Sequence, residues 1–336
     1  MPVIPPASHS DADAVAHFTP GVAVDVRLTL RPLQRGVGDP CVRVTSEGVW
    51  LTRRDDAAGQ FAPASLLVRA PDSPVRPGVI EARAWGPGAA AAVAEVPHLL
   101  GLDDAGWPAF DALLESTAGQ LPSHVLEARR RRPGLRLAAH GRLAQQLMTV
   151  TLEQKVTHDQ ARHGWRWLVR ATSEPAPGPV PARMLLPPDP ARVLRVPSWQ
   201  WHAGWVQPSQ AKAVLRVAER AGSLDRVGRA AQPADVAAAV RLSEQVRSLP
   251  GIGVWTAAEA LQRSHAAADL VAVGDYHLAQ FVGQVLTGRR TDDDGMLRLL
   301  QPWEGHRQRV VRMIGLSGER KQAFGPKLTP ADHRGY

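Results

Sequence analysis

The stretch Leu-Pro-Gly-Ile-Gly-Val-Trp-Thr-Ala at 249–257 constrains this chain more than any other, because it stops one helical pattern and starts a second within five residues. Upstream, "PADVAAAVRLSEQVRS" carries apolar residues at helical spacing behind an Asp, and the spacing resumes from Val254. Pro250 breaks a helix, while Gly251 and Gly253 can take the positive φ that other residues avoid. Such a turn gathers backbone N–H groups at one point, and the next helix aims its positive end the same way. Two readings are open: an ordinary helical hairpin, since Pro-Gly and Gly-x-Gly are common breakers, or a grip on a phosphate.

Around this hairpin the chain divides by pattern. With 336 residues, 44% of them hydrophobic, it has more than one small core needs. Residues 1–20, rich in Pro, Ser, Ala and Asp, read as a flexible tail, with order starting near Val22. "VAVDVRLTLRPL" alternates like a strand, "CVRVTSEGVWLTRR" reads as two short strands, and "ASLLVRA" and "VIEARAWG" supply two more. A helix over 88–100, with Pro97 in its last turn, completes an α+β N-terminal domain over 21–115. From 116 to 320 the pattern is helix and turn throughout, interrupted by the Pro-rich, irregular "SEPAPGPVPARMLLPPDP", and 321–336 form a closing tail.

Composition removes several classes of function. No apolar run reaches the roughly 20 residues of a membrane helix, and the first residues lack the regions of a signal peptide, so the cytoplasm is expected. Cys41 is the only cysteine, which excludes an internal disulfide, a Cys-based zinc site and a cysteine-ligated iron–sulfur cluster. His158 and His163 are five apart and off one helical face, so no metal site is expected. The net charge of +8 favours a polyanionic partner such as nucleic acid, although the excess is almost all arginine and can reflect genome composition.

"LPGIGVWTA" followed by Gly274-Asp275-Tyr276-His277 resembles the helix-hairpin-helix DNA glycosylases, and within them the 3-methyladenine DNA glycosylase II family. "RPGLRL" at 132–137 and "LEQKV" at 152–156 also look like segments of that family, in the expected order, and the resemblance covers most of 115–318. It implies an α+β N-terminal domain followed by an all-α helix-hairpin-helix glycosylase domain. It further implies a monomeric enzyme that excises damaged bases from double-stranded DNA in base excision repair. No cofactor is implied, beyond a monovalent cation at the hairpin carbonyls.

The resemblance makes Asp275 catalytic. An ionised carboxylate beside C1′ stabilises the oxocarbenium-like sugar and can orient a water, although an Asp there can equally cap the helix that follows. Trp255 stands where bifunctional relatives place a Schiff-base lysine, which implies a monofunctional enzyme using water. Leu249, Gly251, Ile252, Gly253, Thr256 and Gln154 are the implied DNA contacts. Leu137 is the implied wedge that fills the gap left by a flipped base, a role Leu135 could exchange with it. Trp255, Glu259 and Tyr276 are the implied substrate contacts. Glu259 departs from the family pattern, which has an aromatic there: it either borders the base or pairs with Arg263, four residues on. The class implied is alkylated purines, with hypoxanthine or a cyclic adduct as the alternative lesion. A non-catalytic DNA-binding protein is the competing class.

Overall fold

Five strands pair into one antiparallel sheet, β1 (Ala14–Phe18), β2 (Val42–Val44), β3 (Val49–Ala57), β4 (Gln60–Arg69) and β5 (Ile80–Trp85), in the order β1-β5-β4-β3-β2. The computed structural model describes residues 11–57, 60–71, 73–231 and 234–320. The expected closing tail and the first ten residues of the opening tail lie outside the described residues. Register places Leu51 opposite Leu66, Leu66 opposite Ala84 and Val68 opposite Ala82. Period-two alternation therefore sends Leu51, Leu66 and Ala84 to the main core, while Trp50, Leu67 and Trp85 line the other face against Met184.

Three local expectations fail for identifiable reasons. Ala14–Phe18, read as tail, forms β1 and pairs with β5 from Ala14↔Ala84 to Phe18↔Ile80. The segment read as a first strand contains helix α1 (Val26–Leu30): the Asp25 side chain accepts from the Leu28 amide, and Val26, Thr29 and Leu30 are buried at helical spacing. Pro97 does not close a helix. The chain breaks after α2 (Ala89–Ala94), and Pro97 sits in the first turn of α3 (Val96–Leu99), where its missing N–H is harmless.

After Trp85 the described residues form helices and connections, apart from an isolated bridge between Pro175 and Leu185 in the Pro-rich loop. In order come α4 (Gly106–Ser116), α5 (Ser123–Arg130), α6 (Leu143–Thr151), α7 (His158–Thr172), α8 (Pro190–Val193) and α9 (Ser198–Ala203). Next are α10 (Pro208–Glu219), α11 (Ala221–Ala230), α12 (Val236–Arg247) and α13 (Val254–Ser264). The last three are α14 (Leu278–Thr287), α15 (Asp293–Leu300) and α16 (Arg307–Leu316). One continuous apolar core joins Leu51 and Leu66 of the sheet to Leu147 of α6, Val214 of α10, Leu242 of α12 and Leu261 of α13. A second gathers Phe110, Leu137, Phe281, Met296 and Met313.

Candidate active site

The turn between α12 and α13 is built from inside outward. Leu249 and Ile252 are buried in the main core, so they anchor the hairpin, and only their backbone can meet a partner. Gly251 has φ +96°, and a Cβ there would lie 2.8 Å from the Ala213 Cβ on α10. Gly253 does not take positive φ. It has φ −92° and ψ −177° as the residue capping α13, and a Cβ would meet nothing within 4 Å. The first requirement is steric and conformational, whereas the second keeps open the space before the first amides of α13. An open depression of about 460 Å³ lies there, lined by Glu244, Arg247, Ser248, Ile252, Gly253 and Val254. Gly251→Ala is expected to lower stability by about 1–3 kcal/mol, read as a lower urea midpoint, and Gly253→Ala by under about 1 kcal/mol.

Gln154 straps this turn from the side. Its amide nitrogen donates to the Gly251 carbonyl at 2.9 Å and to the Thr256 hydroxyl at 2.8 Å, and Thr256 is itself buried. Gln210 on α10 in turn donates to the carbonyls of Leu152 and Gln154 at 3.1 and 3.0 Å. Gln154 and Thr256, both expected as DNA contacts, thus use these polar groups on each other and on the hairpin.

Asp275 lies in the turn before α14, where the chain passes close to the start of α13. Its Oδ1 accepts from the amides of His277 and Leu278 at 2.9 and 2.8 Å, so the capping role is real. Its Oδ2 faces the other way and accepts from the Trp255 Nε1 at 3.4 Å. One carboxylate therefore has one oxygen fixed by backbone and the other turned toward the hairpin helix. The preceding turn is held by the Gly274 amide, which donates to Asp293 at 3.1 Å.

No family model matches the chain, and no curated protein matches it in sequence. Solved structures match it in fold. The 3-methyladenine DNA-glycosylase from Archaeoglobus fulgidus superposes with a TM-score of 0.67 at 12% identity, over 89% of this chain and 96% of that one. MBOgg1 in complex with a low-affinity DNA ligand gives 0.63 at 10% identity, over 93% and 97%. The Clostridium acetobutylicum 8-oxoguanine glycosylase/lyase, bound to double-stranded DNA with cytosine opposite 8-oxoguanine, gives 0.59 at 8% identity, over 90% and 98%. The chain has the fold of these DNA glycosylases.

Within this glycosylase fold the remaining expected residues take varied places. Tyr276, beside Asp275, is 74% exposed, with its ring edge-on to His277 at 4.7 Å between centroids. Glu259 meets the arginine four residues on: Arg263 Nη1 donates to its carboxylate at 2.6 Å, and both side chains are mostly buried. Burial works to lower the Arg263 pKa, but Glu259 and Glu153 outweigh it and raise it. Leu137, expected as the wedge, is buried in this structure. It is only 7% exposed, packed in the second core beside Leu135 and Ala139, and its carbonyl abuts Gly101, so it does not protrude as a wedge. Sequence reasoning also passed over Arg312, one basic residue among 40, whose Nη2 donates to the Leu28 carbonyl at 3.3 Å. Only the fold brings it near Arg263 and Arg31.

Proposed function

We propose that this chain is a monofunctional DNA glycosylase that excises damaged purines from double-stranded DNA in base excision repair, acting as a monomer in the cytoplasm. The observation that carries this reading is the Trp255–Asp275 contact, which sets a carboxylate oxygen beside the start of the hairpin helix and no amine at that position. An indole cannot form a Schiff base. The chemistry left is departure of the base, stabilisation of the sugar cation by Asp275 and capture by water, leaving an abasic site. The exposed amides at the start of α13, with Arg247 beside them, suit a phosphate and give a grip without sequence preference. A monovalent cation at the hairpin carbonyls belongs to the proposal. Leu249 O already accepts the Ile252 amide at 3.0 Å, which leaves it a second lone pair for such an ion.

Alkylated purines of the 3-methyladenine and 7-methylguanine class are the substrates that the resemblance brings to this proposal. A neutral purine such as hypoxanthine is the second reading. The Glu259–Arg263 pair favours it, because a carboxylate already neutralised gives a cationic base little attraction.

The test is base release from duplexes carrying single defined lesions, with borohydride added in a parallel reaction. Free base and an intact strand with an abasic site are expected, and no covalent protein–DNA adduct. An adduct with strand cleavage would assign a lyase, and binding without release from any lesion would assign the non-catalytic class.

A further inference from the structure

Helix α10 lies directly against the hairpin. A Cβ on Gly251 would sit 2.8 Å from the Ala213 Cβ, and the Arg216 Nη1 donates to the Pro250 carbonyl at 3.2 Å. At about 100° per residue, Ala213, Arg216 and Lys212 fall within about 100° of one another around α10, so the edge that meets the turn also carries two cations. Lys212 is exposed and Arg216 half-buried. The one acid of α10, Glu219, pairs with Arg220 at 3.2 Å, and no acid among the described residues forms an ion pair with Lys212 or Arg216. Like charges at i and i+4 repel each other and weaken a helix. Arg247 shares the depression before α13 with Glu244 of its own helix, so the net positive charge beside the turn comes from α10.

We infer that Lys212 and Arg216 hold the DNA phosphate next to the one at the hairpin amides, so that the strand backbone runs from the start of α13 across the edge of α10. This deepens the glycosylase reading above and rests on its DNA partner, adding a binding element outside the hairpin. Phosphates of one strand follow each other at about 3.4 Å along the duplex axis, so the neighbour of a phosphate fixed at the amides comes within reach of a long cationic side chain. The Pro250 carbonyl steadies one nitrogen of the Arg216 fork, and the remaining N–H groups can reach phosphate oxygens. Lys212 adds a point charge one turn earlier on the same edge. A phosphate placed there offsets the repulsion between the two cations, and the contact carries no sequence preference.

The experiment is a binding titration on an undamaged duplex between about 50 and 200 mM salt, with thermal unfolding and single-turnover release from lesion-bearing duplexes in parallel. The proteins are the native chain, Lys212→Gln, Arg216→Gln, Lys212→Glu and a control, Arg170→Gln. Arg170 is exposed near the far end of α7, about 18 Å along the helix from the end that follows Gln154. Lys212→Gln and Arg216→Gln are each expected to weaken binding by about three- to tenfold at about 0.1 M salt and to flatten the slope of log K against log salt by about 0.9. Lys212→Glu should weaken binding by more than about tenfold yet raise Tm, because an acid four residues before Arg216 replaces repulsion with attraction. Arg170→Gln should keep the native slope. Native slopes for both α10 variants, with base release intact, would overturn the inference and leave the glycosylase reading standing. Equal flattening by Arg170→Gln would overturn it too, by showing that only net charge counts. Flattened slopes confined to the α10 variants, with no base released from any lesion, would uphold this contact and remove the glycosylase reading alone.

Discussion

Asp275→Asn is expected to slow base release by at least about 10³-fold while duplex affinity stays within about threefold. The substitution separates the two functions that the structure gives this side chain. An Asn oxygen can still accept from the amides of His277 and Leu278, so the start of α14 remains capped and stability should change by under about 1 kcal/mol. What disappears is the negative charge on the oxygen beside Trp255, the one group there that can offset a positive charge growing on C1′. Hairpin amides and nearby arginines, which would hold the phosphates, are untouched. Release rates under single-turnover conditions, a binding titration on the same duplex and a urea melt distinguish the outcomes. Parallel loss of binding, release and stability would reduce Asp275 to a cap.

Asp104→Ala should cost about 3–5 kcal/mol of stability, because it strands a charge inside the protein. Arg309 and Asp104 are each only 2% exposed at the side chain, and Arg309 Nη2 lies 2.6 and 2.7 Å from the two carboxylate oxygens. The guanidinium also sits 5.0 Å from the Trp107 ring centroid, a contact worth far less than the carboxylate it would lose. Asp104 additionally accepts from the Gly106 amide at 2.9 Å, so the first amide of α4 loses its acceptor as well. A double change, Asp104→Ala with Arg309→Met, should recover much of the loss, since it removes the stranded charge and leaves an apolar side chain of similar length. Urea midpoints of the single and double variants measure this. A small effect of the single change would mean that water reaches Arg309. The pair ties α16 to the loop before α4.

The hairpin was legible because glycine and proline punctuate helices by steric rules that no tertiary context rewrites. Asp275 was singled out by the resemblance, and its place before α14 by the common role of Asp at helix starts; its contact with Trp255 needed the fold. Long-range partners were not legible. Glu259 could be paired with Arg263 from helical spacing alone, but that Gln154 would strap the hairpin depends on packing α6 beside α13, which one sequence does not display. The burial of Leu137 was not legible because an apolar residue in a loop looks the same whether the loop caps a core or projects from it. Near the start of the chain, Asp25 hid a short helix behind an alternation of apolar residues. "AVAHF" hid a strand, because two of its three inward positions are alanines and it lies among Ser, Asp and Pro.

That strand has a practical bearing on anyone who trims the chain. β1 occupies one edge of the sheet, and its whole pairing is with β5. A shortened protein starting at Val22 would keep the hairpin and Asp275, yet it would leave the β5 backbone groups without their native neighbour. A bare row of amides and carbonyls recruits whatever strand it meets, most readily the same edge of another molecule. Such a preparation would clump at the high concentrations used for crystals or spectroscopy, and the fault would lie about sixty residues along the chain from the cut.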